Sequence, residues 1–260
     1  MENMTVDVSP LKLRGRRALV TGGSRGIGAA TAAMLAEAGA DVVIGYRNRA
    51  ANAEAVVARA SAAGVRAFAF AADVSTAAGA ESLVDEAATQ LGGLDIFVAN
   101  AGIWPSRDIP FAEMEAEHWH RTIRENLDSI FFTTRAACRV IADGGRIVLV
   151  SSTAGQRGEA NHADYAASKG AVISITKSLA VELGSRGVTV NSVAPGWVDT
   201  EMVHEAMVGA GLDRIAAAIP LRRVASVEDI AGPIVFLCSA LARHITGEIL
   251  NVNGGSVLCG

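Results

Sequence analysis

Short runs of apolar and β-branched residues alternate along this chain with longer, Ala-rich segments of helical spacing. The short runs are RALVTG (17–22), DVVIGY (41–46), RAFAFAADV (66–74), LDIFVANAG (94–102), GRIVLVSS (145–152), VTVNSVAPG (188–196) and ILNVNGG (249–255). Most show little alternation of apolar and polar positions, as in strands buried on both faces of a parallel sheet. The segments 27–39, 50–63, 77–91, 114–142, 163–185 and 226–242 read as crossover helices. This order predicts an α/β fold: one doubly wound sheet of about seven parallel strands, with helices on both faces and right-handed crossovers. No linker or low-complexity stretch divides the chain, so residues 1–260 are expected to form a single domain, with 1–12 as an N-terminal extension. The least regular stretch, 197–225, follows the C-terminal end of a strand. Ligands bind at that edge of such sheets, which makes 197–225 the expected substrate lid.

Composition narrows the function. Half of the 260 residues are hydrophobic, and 23 Lys+Arg stand against 27 Asp+Glu, a formal net charge of −4. No basic block supports nucleic-acid binding. No long uncharged apolar run supports a membrane span, and the opening MENMTVDVSPLKLRGRR resembles no signal peptide. The three cysteines, Cys138, Cys238 and Cys259, are widely spaced and lack histidine neighbours. Neither a metal site nor a disulfide is expected. Cys138 and Cys238 read as small buried hydrophobes in a reducing, cytoplasmic setting.

TGGSRGIG (21–28) follows the first strand and opens a helix. Gly22, Gly26 and Gly28 permit a tight turn, close approach to a pyrophosphate, and close helix–strand packing. The helix N-terminus adds free N–H groups and partial positive charge for the phosphates. A carboxylate about 20 residues further on would hold a free ribose 2′-hydroxyl. Here that place reads GYRNR, with Tyr46 and then Arg47, while Arg25 lies in the glycine loop. Two guanidiniums with no carboxylate between them favour a 2′-phosphate, hence NADP(H).

The chain has two tyrosines, and one of them, Tyr165, stands four residues before Lys169 in ADYAASKG. On a helix these positions share a face, about 6 Å apart along the axis. A lysine ammonium there is expected to favour the phenolate and depress the tyrosine pKa, so that Tyr165 serves as a general acid or base. VSSTAG places Ser151 or Ser152 at the end of a strand, where a hydroxyl can hold the same substrate oxygen.

These motifs resemble those of the short-chain dehydrogenases/reductases, from about residue 12 to 257. The matching stretches are TGGSRGIG, ADV with Asp73, ANAG (99–102), Asn126 in ENLDSIFF, Ser152, YAASK, NSVAPGWVDT (191–200) and ITGEILNVNGG (245–255). Ser152 precedes Tyr165 by thirteen residues, the family's common spacing, which selects it over Ser151. The resemblance implies a Rossmann-type fold and a hydride transfer between NADP(H) and a carbonyl or secondary alcohol. It implies that Tyr165 is the acid/base, that Ser152 orients the substrate oxygen, and that Lys169 binds the nicotinamide ribose. Asn126 would help hold a water leading from Lys169 to solvent. Ser24 and Ile27 join Arg25 in the phosphate loop, and Asp73 and Val74 would meet the adenine. Asn100, Ala101 and Gly102 would lie along the cofactor cleft, and Pro195, Gly196, Val198 and Thr200 would hold the carboxamide. The family's usual first asparagine of NNAG is Ala99 here.

Within the family the chain is most similar to 3-oxoacyl-acyl-carrier-protein reductases of fatty acid biosynthesis. An acidic carrier needs a basic patch beside the cleft. Arg186 suits that role, whereas Asp143 would repel a carrier. The alternative is a reductase of a free small ketone, sugar or steroid-like alcohol. Trp104, Trp197, Met202 and Met207 are expected to supply an apolar wall, and His162 faces either the cleft or solvent. A non-catalytic dinucleotide sensor is the competing class, against which the presence of Tyr165, Lys169, Ser152 and Asn126 argues. Ala-rich, apolar helices at 114–142 and 163–185, as in relatives that pair such helices, imply a homotetramer.

Overall fold

The structure is a computed structural model that describes residues 11–209 and 211–258. The first ten residues of the expected extension, and Cys259, lie outside that range. The described strands are β1 (Arg17–Thr21), β2 (Asp41–Tyr46), β3 (Ala67–Ala71), β4 (Leu94–Ala99), β5 (Ile141–Val150), β6 (Thr189–Pro195) and β7 (Ile249–Val252). They form one parallel sheet in the order β3-β2-β1-β4-β5-β6-β7. The order reverses between β1 and β4, so a crevice opens where the chain leaves their C-terminal ends. The glycine loop follows β1 and the ANAG stretch ends β4, so both reach that crevice.

The helices are α1 (Gly26–Glu37), α2 (Ala50–Ala62), α3 (Ala77–Leu91), α4 (Ala116–Ile123), α5 (Ser129–Val140), α6 (Thr153–Arg157), α7 (Ala163–Leu183), α8 (His204–Met207), α9 (Gly211–Ala218) and α10 (Val227–Cys238). One core joins the sheet to α1 and α10, and a second joins it to α3, α5 and α7. Alanines line the buried face of α1, including Ala32, Ala33 and Ala36. Side chains this small let α1 lie close to both the sheet and α10. Ser226 and Asp229 start α10 with a reciprocal capping box.

Three expectations need correction. The helical run expected over 114–142 is broken: α4 ends at Ile123, and Arg124–Asp128 form one turn of π-helix before α5. The wider turn of that π-helix brings Glu125 to the crevice and sets Asn126 behind the loop that follows β4. The fifth strand begins at Ile141, not Gly145, with an irregular register between Leu94 and Ile96 of its neighbour. The stretch 197–225 is not simply irregular, since it holds a 3₁₀ turn (Glu201–Val203), α8 and α9. Cys238 is buried, and burial pushes its thiol up to about 12. Cys138 is only half-buried. Among the described residues no helix is long and apolar enough to cross a membrane.

Candidate active site

A cavity of about 490 Å³ runs across the C-terminal ends of the strands. It begins at the glycine loop. Gly22 and Gly26 have φ values of +64° and +55°, in the left-handed region where a side chain is strained. A Cβ on Gly28 would lie 2.3 Å from the Gly22 carbonyl oxygen, so only glycine lets α1 start this close to the strand end. The first turn of α1 has no side-chain cap and no acidic residue, which leaves its N–H groups facing the cavity. Thr21 Oγ1 accepts from the backbone N–H groups of both Asn100 and Ala101, each at 3.0 Å. The Asn100 amide donates to the Thr21 carbonyl at 3.0 Å. These bonds lock the ends of β1 and β4 together. Thr21 was not singled out from the sequence, because its role depends on a strand 79 residues away.

The residues expected at the dinucleotide end converge. Gly22, Ser24, Arg25, Gly26, Ile27, Tyr46, Arg47, Asp73, Val74, Asn100, Ala101, Gly102, Pro195, Gly196, Val198 and Thr200 all line the cavity. Gly28 does not; it serves the packing beneath. The expected absence of carboxylates near the arginines is corrected. Glu125, from the π turn, accepts from Arg47 Nη1 at 2.8 and 2.9 Å, and Asp73 lies 3.7 Å from the same nitrogen. Glu201 pairs with Arg25 at 2.7 Å and sits 3.6 Å from Arg49. The hydrogen bonds that Arg47 donates to Glu125 hold its guanidinium above its usual pKa, although partial burial opposes this. Hydrogen bonds from the Ser75 hydroxyl and N–H, with Arg47 nearby, hold Asp73 below the usual carboxylate range. Glu125 and Glu201 are 78 and 176 residues from the arginines they meet, which no local pattern reveals.

At the other end Ser152, Tyr165 and Lys169 line the same cavity. Ser151 and Ser152 divide their tasks. Ser151 Oγ donates to the Lys169 carbonyl at 2.8 Å, tying the end of β5 to α7. Ser152 opens α6, where its Oγ accepts from the Ala154 N–H at 3.1 Å. Lys169 is 4% exposed, and its Nζ donates to the Val150 carbonyl at 2.9 Å. Burial pulls its ammonium down to about 8. Tyr165 does not show the expected depression. Burial of its hydroxyl pushes it up to about 12, against the hydrogen bond with Ser152, and the Glu159 charge adds to the rise. The physical reason is geometric. Lys169 Nζ sits 5.9 Å from the Tyr165 ring centroid and donates to the Val150 carbonyl, and its charge does not offset the burial of the hydroxyl.

Asn126 is fully buried and does not itself line the cavity. Its Oδ1 accepts from the Ile103 N–H at 2.7 Å and its Nδ2 donates to the Ile103 carbonyl at 3.0 Å. Both polar groups of its side chain therefore fix the loop after β4. A Cβ on Gly102 would lie 2.9 Å from Asn126 Oδ1 and 3.5 Å from Lys169 Nζ, so glycine keeps that passage open.

The loop fixed by Asn126 carries Trp104, whose ring centroid lies 4.7 Å from that of Tyr165 and 6.0 Å from that of Trp197. His162 faces neither the open cleft nor solvent. It is 5% exposed, lies against Trp104 at 4.3 Å, and its Nε2 is 3.0 Å from Asp108. Trp197 and Met202 line the cavity as expected, whereas Met207 does not. Arg186 and Asp143 pair with each other at 2.8 Å. They stand where β5 and β6 begin, at the opposite edge of the sheet from the cleft. Neither the docking role expected of Arg186 nor the repulsion expected of Asp143 operates beside the cleft.

Comparison with known proteins agrees with this arrangement. A family model described as enoyl-(acyl carrier protein) reductase matches residues 22–256. A 3-oxoacyl-[acyl-carrier-protein] reductase from Synechocystis is 41% identical over 244 residues, 93% of this chain and 96% of that protein. The chain belongs to the short-chain dehydrogenase/reductase family. A short-chain dehydrogenase from Burkholderia cenocepacia, solved in complex with NADP, superposes with a TM-score of 0.89. It is 41% identical, over 94% of this chain and 99% of that one. A blue fluorescent protein from a metagenomic library, solved with NADPH, gives the same TM-score at 39% identity, over 95% of this chain and 100% of that one. The chain is thus a short-chain dehydrogenase/reductase over nearly all of its length, and an oxidoreductase.

Proposed function

We propose that this protein is an NADP(H)-dependent reductase that interconverts a carbonyl and a secondary alcohol. The observation that carries the reading is a single cavity with an uncapped helix N-terminus and its glycines at one end, and Ser152, Tyr165 and Lys169 at the other. A dinucleotide fits this cleft on structural grounds, because Gly22, Gly26 and Gly102 line it without side chains and Gly28 lets α1 start close to the strand end. When bound, the cofactor supplies or accepts the hydride. The α1 N–H groups hold its pyrophosphate. Arg25 and Arg47 meet the 2′-phosphate, which competes with Glu201 and Glu125 for them. The binding of NADP and NADPH by the two structural relatives supports this preference over NADH.

The chain's own residues then manage the proton. Ser152 and Tyr165 hold the substrate oxygen. Tyr165, protonated throughout the neutral range, donates its proton to that oxygen as the carbonyl becomes an alcohol. Lys169 stands behind it, with a pKa near 8 that lets it take up and release a proton around neutrality. It also holds the nicotinamide ribose. Asn126 holds the loop that bounds this passage and helps to keep a water within it. Asp73 and Val74 border the adenine, and Pro195, Gly196, Val198 and Thr200 the carboxamide. Residues 1–260 act as one unit with 197–225 as lid, in a cytoplasmic homotetramer. Purified protein should oxidise NADPH in the presence of a ketone panel. Failure with every carbonyl compound offered, despite NADPH binding, would favour the sensor reading.

The Synechocystis relative supports a second reading, reduction of a 3-oxoacyl group on a carrier protein. The position of Arg186 on the far edge of the sheet weakens it.

A further inference from the structure

The substrate end of the cavity is more specific than an apolar wall. Trp104 and Trp197 meet edge to face at an interplanar angle of 69°, which makes an aromatic corner. Each ring is only half-buried, and each lines the cavity. Both hang from fixed backbone. Asn126 holds the residue before Trp104, and the Trp197 carbonyl accepts from the Ala225 N–H at 3.1 Å. His162 packs against Trp104 at 4.3 Å and adds to its support. Aromatic faces prefer edge-to-face or offset partners, and such a corner offers both to an incoming ring. Arg157, which lines the cavity, is paired with Glu159 at 3.2 Å.

We propose that Trp104 and Trp197 form a ring-binding subsite, and that the substrate is a free ketone with an aromatic ring beside its carbonyl. This deepens the reductase reading and rests on it for the position of the carbonyl at Ser152 and Tyr165. The ring seats in the corner, the carbonyl oxygen faces Tyr165, and the smaller substituent points to the lid.

The test compares kcat/KM with NADPH for acetophenone, methyl hexyl ketone and the acetoacetyl thioester of N-acetylcysteamine. The wild type should favour acetophenone over the other two by about tenfold or more. Trp104→Ala should lower the acetophenone to methyl hexyl ketone ratio about tenfold, and Trp104→Phe, which keeps a ring and guards against misfolding, should largely restore it. An equal loss for both ketones, or a wild-type preference for the thioester, overturns the subsite. Ring binding is read separately by saturation-transfer NMR with benzyl alcohol, which should be strong in the wild type and lost when both tryptophans are replaced by alanine. If that holds while no ketone is turned over, the reductase reading fails and the ring subsite stands. Ring binding that survives both replacements overturns the subsite whatever the turnover.

Discussion

Two buried groups at opposite edges of the sheet, Asp95 and Lys169, are held in opposite ways. At the edge where the strands begin, Asp95 and Asp143 are each paired with an arginine, while the buried Arg146 donates to the Gly144 and Gly145 carbonyls. Arg17 donates through Nε to Asp95 at 2.7 Å, with Arg16 nearby at 3.6 Å, and Arg186 pairs with Asp143. These bonds hold Asp95 below the usual carboxylate range despite its burial. At the edge where the strands end, Lys169 is buried with a carbonyl and no carboxylate as partner, and burial pulls its ammonium down to about 8. Pairing favours the charged form of Asp95, whereas burial of the Lys169 ammonium carries a cost to the folded chain, as is common at functional sites. Four measurements can break or sharpen this contrast.

The largest effect should come from Tyr165→Phe, which keeps the ring and removes the proton. Activity should fall by about two orders of magnitude or more, with the thermal midpoint nearly unchanged. Retention of most turnover would remove Tyr165 from the chemistry. Asp95→Asn should do the reverse. It breaks an almost buried pair and should cost about 2 kcal/mol or more in urea unfolding, while kcat stays within a few-fold.

The third measurement uses pH. The folded pKa of Lys169 is depressed to about 8 from 10.5. Between those values the unfolded chain binds the proton that the folded one has released, so stability rises with pH through the window. Below about 8 the folded chain carries the full cost of a buried ammonium. Wild type should therefore gain on Lys169→Met between pH 8 and 10.5, by up to about 3 kcal/mol, as read by denaturant unfolding at several pH values. Parallel stability curves would place the Lys169 pKa at its ordinary value.

The smallest effect should be that of Arg47→Ala, since its guanidinium already has Glu125 as partner. The apparent KM for NADPH should rise about tenfold and that for NADH hardly move, measured with one substrate at fixed ionic strength. Equal changes for both cofactors would mean that Arg47 serves Glu125 alone.

Much of the fold and of the candidate site was legible in the sequence. The alternation of apolar runs and Ala-rich segments placed all seven strands, because strands buried on both faces read as nearly continuous apolar runs. The glycine spacing placed the dinucleotide end, because only glycine fits where α1 meets the strand. Tyr165 and Lys169 were readable because helical spacing puts them on one face. The break in the 114–142 run was not, because a π turn stays apolar and polar at nearly helical spacing.

What lay outside the sequence's reach was every property that depends on two distant segments. The acid-base reading of Tyr165 followed from local spacing, but the direction of its pKa shift did not, because burial is set by walls from β5, the Trp104 loop and α7 together. Arg47 and Arg25 were visible as cations, yet the carboxylates they meet come from elsewhere in the chain. Arg186 and Asp143 looked like cleft residues and lie on the opposite edge. A residue's type and its near neighbours are written in the chain, and these determined the fold and the candidate catalytic side chains. The dielectric surroundings and charged partners of those side chains arise only when the sheet brings strand ends together, so the tertiary structure alone decided their electrostatics and the shape of the substrate's place.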